Sequence, residues 1–279
     1  KGAEKPTATG AATSARTGAT TPAAAGVAPG QPRPFADVIK DAKEARGLVG
    51  IWQKDEKAWL EIDPELFGKP LFFSVNLARG LGENWIYGGM MGRSHLVEFR
   101  KVGTNVQVVA RNERHFATAG TPEARAVAES FSDSLLASAA ILSAPHPDRK
   151  SVLIEANAIF FSDLSATAPQ LERAYRQPYG FDARNTSFKE VRSTADFVSF
   201  NVLAHYALAR ISLPAPGSPV TPPPATIPDI RSLFLGFHYS IAKLPDTPMR
   251  PRTADTRVGY FTTERWDFTT DDRRIPIVR

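Results

Sequence analysis

The sequence predicts a mainly β protein: a β-rich α+β fold of antiparallel sheets, with two or three short helices behind a disordered N-terminal leader. Three observations predict it. Short apolar and aromatic runs recur along the chain, separated by charged or glycine-containing turns. Helical periodicity is confined to a few brief stretches. The first 34 residues differ in kind, because Ala, Thr, Gly and Pro fill 26 of them and no aromatic residue is present. Such a segment cannot bury enough apolar surface to offset its ordering entropy.

Order is expected from Phe35. In Phe35-Ala-Asp-Val-Ile-Lys-Asp-Ala-Lys-Glu-Ala-Arg, the positions Phe35, Val38, Ile39 and Ala42 fall on one helical face, and Gly47 supplies a stop. Leu48–Gln53 and Ala58–Ile62 flank the charged turn Lys54-Asp55-Glu56-Lys57, which reads as a hairpin. Asp63 is placed to cap a helical turn that begins at Pro64. Leu71–Ala78 is the next strand. Arg79–Gly92 carries five glycines and reads as a long, permissive connection, since neither phosphate-binding glycine motif is present.

Ser94–Val102 and Val106–Arg111 form the clearest hairpin, turning at Gly103-Thr104-Asn105. Thr121 before Pro122 and Glu123 predicts a helix to Ser130. Phe131–Leu142 and Val152–Asp163 read as strands, the second apolar on both faces. Arg173–Asn185 is polar and reads as irregular, whereas Phe188–Arg192 and Phe197–Ala209 return to strand. Seven prolines within residues 214–228 predict an extended surface loop. Finally, a strand at Phe237–Leu244 is expected to lead through a Pro-Asp turn and a basic link into a second aromatic strand from Val258. These elements divide the chain into a leader (1–34), a small helix-plus-hairpin module (35–79) and a β-rich domain (80–279).

Composition narrows function. Lys and Arg total 34 and Asp and Glu 29, a net charge of +5 spread too diffusely to imply nucleic acid. No cysteine is present, so disulfides, thiolate metal sites and cysteine nucleophiles are excluded. No apolar run approaches the roughly 20 residues of a membrane span. The first residue is Lys1, and a processed or trimmed product is expected.

Candidate chemistry is sparse. The five histidines are His95, His115, His146, His205 and His238, and none is followed by Glu, so H-E-x-x-H is absent. They read as surface or hydrogen-bonded structural residues. The G-x-S-x-G motif is also absent. In Gly92-Arg93-Ser94-His95 the adjacent Ser and His would point to opposite faces of a strand. Asp271-Asp272 reads as a solvated pair. No residue is therefore assigned as catalytic, cofactor-binding or metal-binding. Arg250, Arg252 and Arg257 form the best polar cluster and are expected to hold structure or an interface, with a buried ion-pair network to Asp246, Asp255 or Glu264 as one form of it.

Several blocks carry a resemblance when taken together in order. They are Phe35-Ala-Asp-Val-Ile-Lys; Gly50-Ile51-Trp52-Gln53-Lys54 with Leu60-Glu61-Ile62; Arg79-Gly80-Leu81-Gly82; and Val97-Glu98-Phe99-Arg100-Lys101-Val102-Gly103. The series closes with His238-Tyr239-Ser240, Leu244-Pro245-Asp246, Pro251-Arg252 and Arg257-Val258-Gly259-Tyr260-Phe261. From about Phe35 to Arg279 the chain resembles the paired domains of unknown function in the N-terminal half of bacterial zinc-dependent metalloproteases. In that family an H-E-x-x-H catalytic domain follows this region, so no catalytic or zinc-binding residue carries onto any position here. The resemblance implies an exported protein, periplasmic or extracellular. It implies a scaffolding or shielding role for a downstream catalytic domain of the same protein, with zinc held there and peptide as its substrate. The alternatives are a free-standing β-rich binding module for peptide, glycan or cell-envelope surface, and an enzyme complete within these residues.

Overall fold

The computed structural model describes residues 32–213, 217, 220–250, 252–255, 257, 261–270 and 273–278. The leader up to residue 31, part of the proline-rich loop and the start expected for the last aromatic strand lie outside them. Residues 32–279 group as one compact unit.

Three antiparallel-dominated sheets and four short α-helices make up the described fold. The first sheet runs in the order β1 (Lys43–Ala45), β2 (Gly50–Lys54), β3 (Lys57–Ile62) and β9 (Val152–Glu155). The second has seven strands. Its order is β10 (Tyr179–Ser193), β11 (Phe197–Leu208), β12 (Ser232–Lys243), β4 (Leu71–Arg79), β5 (Met90–Val102), β6 (Asn105–Ala110) and β8 (Ser134–Ala140). The third joins β14 (Arg273–Val278), β13 (Thr262–Asp267) and β7 (His115–Phe116), with β13 and β7 parallel. The fold is mainly β, as the turn-separated apolar runs predict.

One face of the seven-stranded sheet builds the core. Along β11, Val198, Phe200, Val202, Ala204 and Tyr206 are buried, and along β12 Leu233, Leu235, Phe237, Tyr239 and Ile241 are. This strict period of two is the signature of a sheet with one face packed and the other open. Helices α3 (Ala156–Phe160) and α4 (Ala168–Tyr175), together with the small sheet, cover that face. Phe160 stacks on Phe200 at 4.0 Å between ring centroids and meets Tyr239 at 5.5 Å.

The inner strands of the small sheet are covered on both sides, and β3 is buried at every position but its first. Ala58, Leu60 and Ile62 face the main core, whereas Trp59 packs with Phe35 and Leu153 beneath the short helix α1 (Phe35–Val38). Glu61 lies on this second face, 3% exposed. Its carboxylate accepts from Arg149 Nε (2.6 Å), Ser151 Oγ (2.6 Å) and Trp52 Nε1 (2.9 Å). Burial alone would raise its pKa, but these donors outweigh it and hold the carboxyl below its ordinary value.

Three elements depart from the sequence reading. The helix expected across Phe35–Arg46 stops at Val38, and Lys43–Ala45 becomes β1. Asp41 adopts a left-handed φ of 64°, and pairing with β2 then satisfies the backbone. The apolar spacing still serves one face, because Phe35, Val38, Ile39 and Ala42 all pack in the same small cluster. The strand expected over Val152–Asp163 ends at Glu155 and continues as α3. There Asn157 accepts from Ala58 N (3.1 Å) and donates to Glu56 O (3.0 Å), fastening the helix to the β2–β3 turn. A run apolar on all sides fits a buried helix as well as a strand. Arg173–Asn185, read as irregular, holds the end of α4 and the start of β10, joined at Arg176 with φ 54°. The stretch is polar because β10 is an edge strand with one face in water.

Helix α2 (Pro122–Ser130) follows the capping logic, since Thr121 Oγ1 accepts from Ala124 N at 3.2 Å. At Pro64–Leu66 a single 3-10 turn forms with proline first, but the Asp63 side chain makes no capping bond.

The depressed pKa of Glu61 fixes a sign. Its charge stabilises the fold above the ordinary value of 4.5, and that contribution is lost as pH falls through the lower folded value. Thermal unfolding of Glu61→Gln is expected to show about 2 kcal/mol less stability at pH 7. The gap to wild type should narrow below about pH 4.5.

Candidate functional site

A well-formed recess among the described residues lies where the glycine-rich connection meets the start of α4. It has a volume of about 430 Å³ and is lined by Val75, Leu77 and Phe237 from the sheet and by Trp85, Ile86, Met90 and Met91 from the connection and β5. Ser165, Thr167, Gln170 and Arg173 from the α4 end close it, with Arg93 alongside. A larger recess of about 680 Å³ between β5 and the third sheet, lined by Leu96, Arg114 and Thr262–Arg265, is wider and more open to solvent.

The connection is an ordered loop. Leu81 N and Gly82 N donate to Ile86 O, Ile86 N donates to Glu83 O, and Gly89 N donates to Leu77 O. Leu81 and Ile86 are buried. Glu83 Oε1 accepts from Ala225 N (3.0 Å) and Thr226 Oγ1 (3.2 Å), tying the loop to the proline-rich segment. At Gly80 a Cβ would stand 2.1 Å from Ile86 O, so only glycine permits the closure. Trp85 takes a left-handed φ of 62° yet is 81% exposed. A bulky side chain held in that conformation without burial is unusual. Met91 stands 83% exposed on the same rim, and Tyr87 meets the Trp85 ring edge-on at 6.4 Å.

On the α4 side, Asp163 takes over the capping role. It accepts from Thr167 N (2.8 Å) and Ala168 N (2.9 Å), and the Tyr206 hydroxyl donates to it at 2.8 Å. Burial, and then the Asp163 charge, push the Tyr206 phenol far up, so it remains a donor. Ser165 and Thr167 share a hydroxyl–hydroxyl bond of 2.8 Å. Arg93 and Arg173 line the recess and no carboxylate does, among the described residues. The site therefore suits an apolar group carrying an anionic end.

Arg250, Arg252 and Arg257 lie elsewhere, all exposed. Arg257 Nε donates to Asp255 Oδ1 at 2.9 Å, and its guanidinium reaches Oδ2 at 2.5 Å. Asp246 pairs with Lys243 at 3.1 Å. The arginine-to-Asp255 pairing is thus on the surface, not buried. Among the histidines, His115 stacks on Phe131 at 4.0 Å, His146 Nδ1 accepts from Asp148 N and Arg149 N, and His238 Nδ1 bonds Asn201 Oδ1. His95 is held below its ordinary pKa by burial and by Arg93. No cluster of three metal-ligating side chains occurs among the described residues. Sequence reasoning marked the glycine-rich connection but not Trp85, Met91 or the α4 end, since no motif links residues 80 positions apart.

Replacing Gly80 by Ala is expected to cost about 1–3 kcal/mol in thermal unfolding, because the clash is with backbone. The emission of exposed Trp85 should shift as the loop opens.

No curated protein and no solved structure matches the chain. Residues 32–80 match the family described as domain of unknown function DUF5118. Residues 89–277, about two thirds of the chain, match the family described as domain of unknown function DUF5117. The first match ends one residue beyond β4, which lies inside the seven-stranded sheet; β9, inside the second match, completes the four-stranded one. The two matched regions share both sheets, and the chain belongs to the DUF5117 family.

Proposed function

We propose that this chain is the N-terminal region of a bacterial zinc-dependent metalloprotease, exported to the periplasm or beyond, that scaffolds or shields a catalytic domain following it. In this role it carries no group of the peptidase chemistry, and zinc and substrate cleavage belong to the downstream domain. The sequence blocks between Phe35 and Phe261, taken in their order along the chain, support the reading. The single structural observation that carries it is the rim of the recess, where Trp85 and Met91 stand more than four-fifths exposed beside Tyr87 and Met90. Large apolar side chains grouped around a cleft mark a surface that another body covers. The cationic lining from Arg93 and Arg173 favours an acidic or carboxylate-bearing contact there.

The same recess supports a second reading, a free-standing β-rich module that binds peptide, glycan or cell-envelope surface. The reading frame beyond Arg279 separates the two: an H-E-x-x-H there supports the first, and a stop codon sinks it. In the full-length protein, Trp85→Ala with Met91→Ala is expected to lower chelator-sensitive peptide cleavage several-fold while leaving the melting temperature within a few degrees. Unchanged cleavage would remove the rim from the proposal.

A further inference from the structure

The open face of the seven-stranded sheet holds a constellation that lies apart from the recess. On β11, His205 is 8% exposed and both of its ring nitrogens are engaged. Its Nδ1 lies 2.9 Å from Asp182 Oδ2 on β10, and its Nε2 lies 2.8 Å from Ser232 Oγ at the start of β12. Antiparallel register brings them together. Asp182 is the cross-strand partner of His205, and Ser232 partners Ala207, two residues further along the same face.

The order of these bonds determines their chemistry. A carboxylate only accepts, so Asp182 fixes the proton on His205 Nδ1 and leaves Nε2 as an acceptor for the Ser232 hydroxyl. Asp182 is itself held: Asn185 Nδ2 donates to Oδ2 at 2.6 Å and Arg184 N donates to Oδ1 at 3.1 Å. These contacts come from a register shift after Asp182 that folds residues 183–186 back over the carboxylate. The Asn185 bond, then the His205 bond, keep the carboxyl below its ordinary pKa. Thr186 completes the support, donating from its hydroxyl to Asp182 O and accepting from His205 N. The hydroxyl end is the opposite case, because Ser232 is exposed. Next to it the sheet face carries only Ala207 and Gly180, and a Cβ on Gly180 would meet nothing closer than 3.9 Å. Phe234, 41% exposed, packs its ring 4.7 Å from His205 and walls the other side.

We propose that Ser232, His205 and Asp182 form a nucleophilic serine site that accepts a short acyl group from a small carboxylic ester. Ser232 Oγ attacks the ester carbonyl carbon as its proton passes to His205 Nε2. The tetrahedral intermediate collapses with cleavage of the bond to the leaving alcohol, which takes the proton back from Nε2. The acyl group stays on Oγ, against Phe234, until water, giving a proton to the same nitrogen, attacks the acyl carbon. The Oγ–acyl bond then breaks, the acid leaves and Nε2 returns the proton to Ser232 Oγ. Ser232 N already donates to Asp229 O at 3.2 Å, so the nucleophile's own amide does not serve the oxyanion. One such donor is worth roughly 100- to 1,000-fold. Both tetrahedral intermediates lack that donor, so turnover is slow and adduct formation on Ser232 is the proper readout. This activity is independent of the scaffolding role.

The test is mass spectrometry of the full chain after exposure to p-nitrophenyl acetate and, separately, to a small fluorophosphonate. One adduct on the peptide carrying Ser232 is expected, forming at least about 100-fold faster than on the urea-unfolded chain. It should be lost in Ser232→Ala. It should also slow at least about tenfold in Asp182→Asn, which presents the wrong histidine tautomer. An adduct rate no higher in the folded than in the unfolded chain overturns the proposal. So does labelling confined to other serines.

Discussion

The architecture depends on the pairing of β4 along both of its edges. One edge bonds to β12 and the other to β5, so a strand from the first fifth of the ordered chain sits inside a sheet built from much later segments. The exchange is reciprocal, since β9 closes the small sheet on the far side of β3. Through these two pairings a continuous cluster runs from Val49 to Ile241 and includes both helices over the sheet. The regions that match two families therefore share their core side chains. Packing at near-crystalline density makes such a core cooperative, with little scope for one region to be ordered alone.

That constraint places the two sites on opposite faces of one sheet. The recess is reached from the core side, at the end where β4 and β5 diverge and the glycine-rich loop closes over Leu81 and Ile86. The Ser232 constellation uses the open side, where polar pairs such as Ser74 with Ser240 and Asn201 with His238 replace apolar packing. Such a face tolerates His205 and Asp182 because each polar atom finds a partner.

Much of the sheet was legible because its strands alternate. The β5–β6 hairpin and β11 show a period of two, and turn residues mark their ends. The parts that were not legible fail for definite reasons. Residues 156–160 are apolar all round, a pattern shared by buried strands and buried helices. Residues 179–185 are polar because they open an edge strand, so that part of β10 looks like a loop, whereas Phe188–Arg192 keeps its strand character. The helix after Phe35 was cut short by the competing pairing of Lys43–Ala45 with β2, a tertiary choice that local periodicity does not encode. The recess was half visible: the glycines advertise a special backbone, but nothing local tells that Trp85 stays in water. Asp182, His205 and Ser232 were invisible, since steps of 23 and 27 residues correspond to no motif and only the register makes them neighbours.

The position of β4 also sets an order of events during synthesis. Its bond to β5 spans a short loop and is available early, but Ser74 meets Ser240 across 166 residues. Until β12 has left the ribosome, the other edge of β4 stays open, with Phe73 and Val75 awaiting Tyr239 and Ile241. An unpaired edge in an apolar strand invites association with other chains. Contacts this distant close slowly. The half-made sheet is thus the most aggregation-prone species this chain passes through, and its lifetime is set by the arrival of a single late strand.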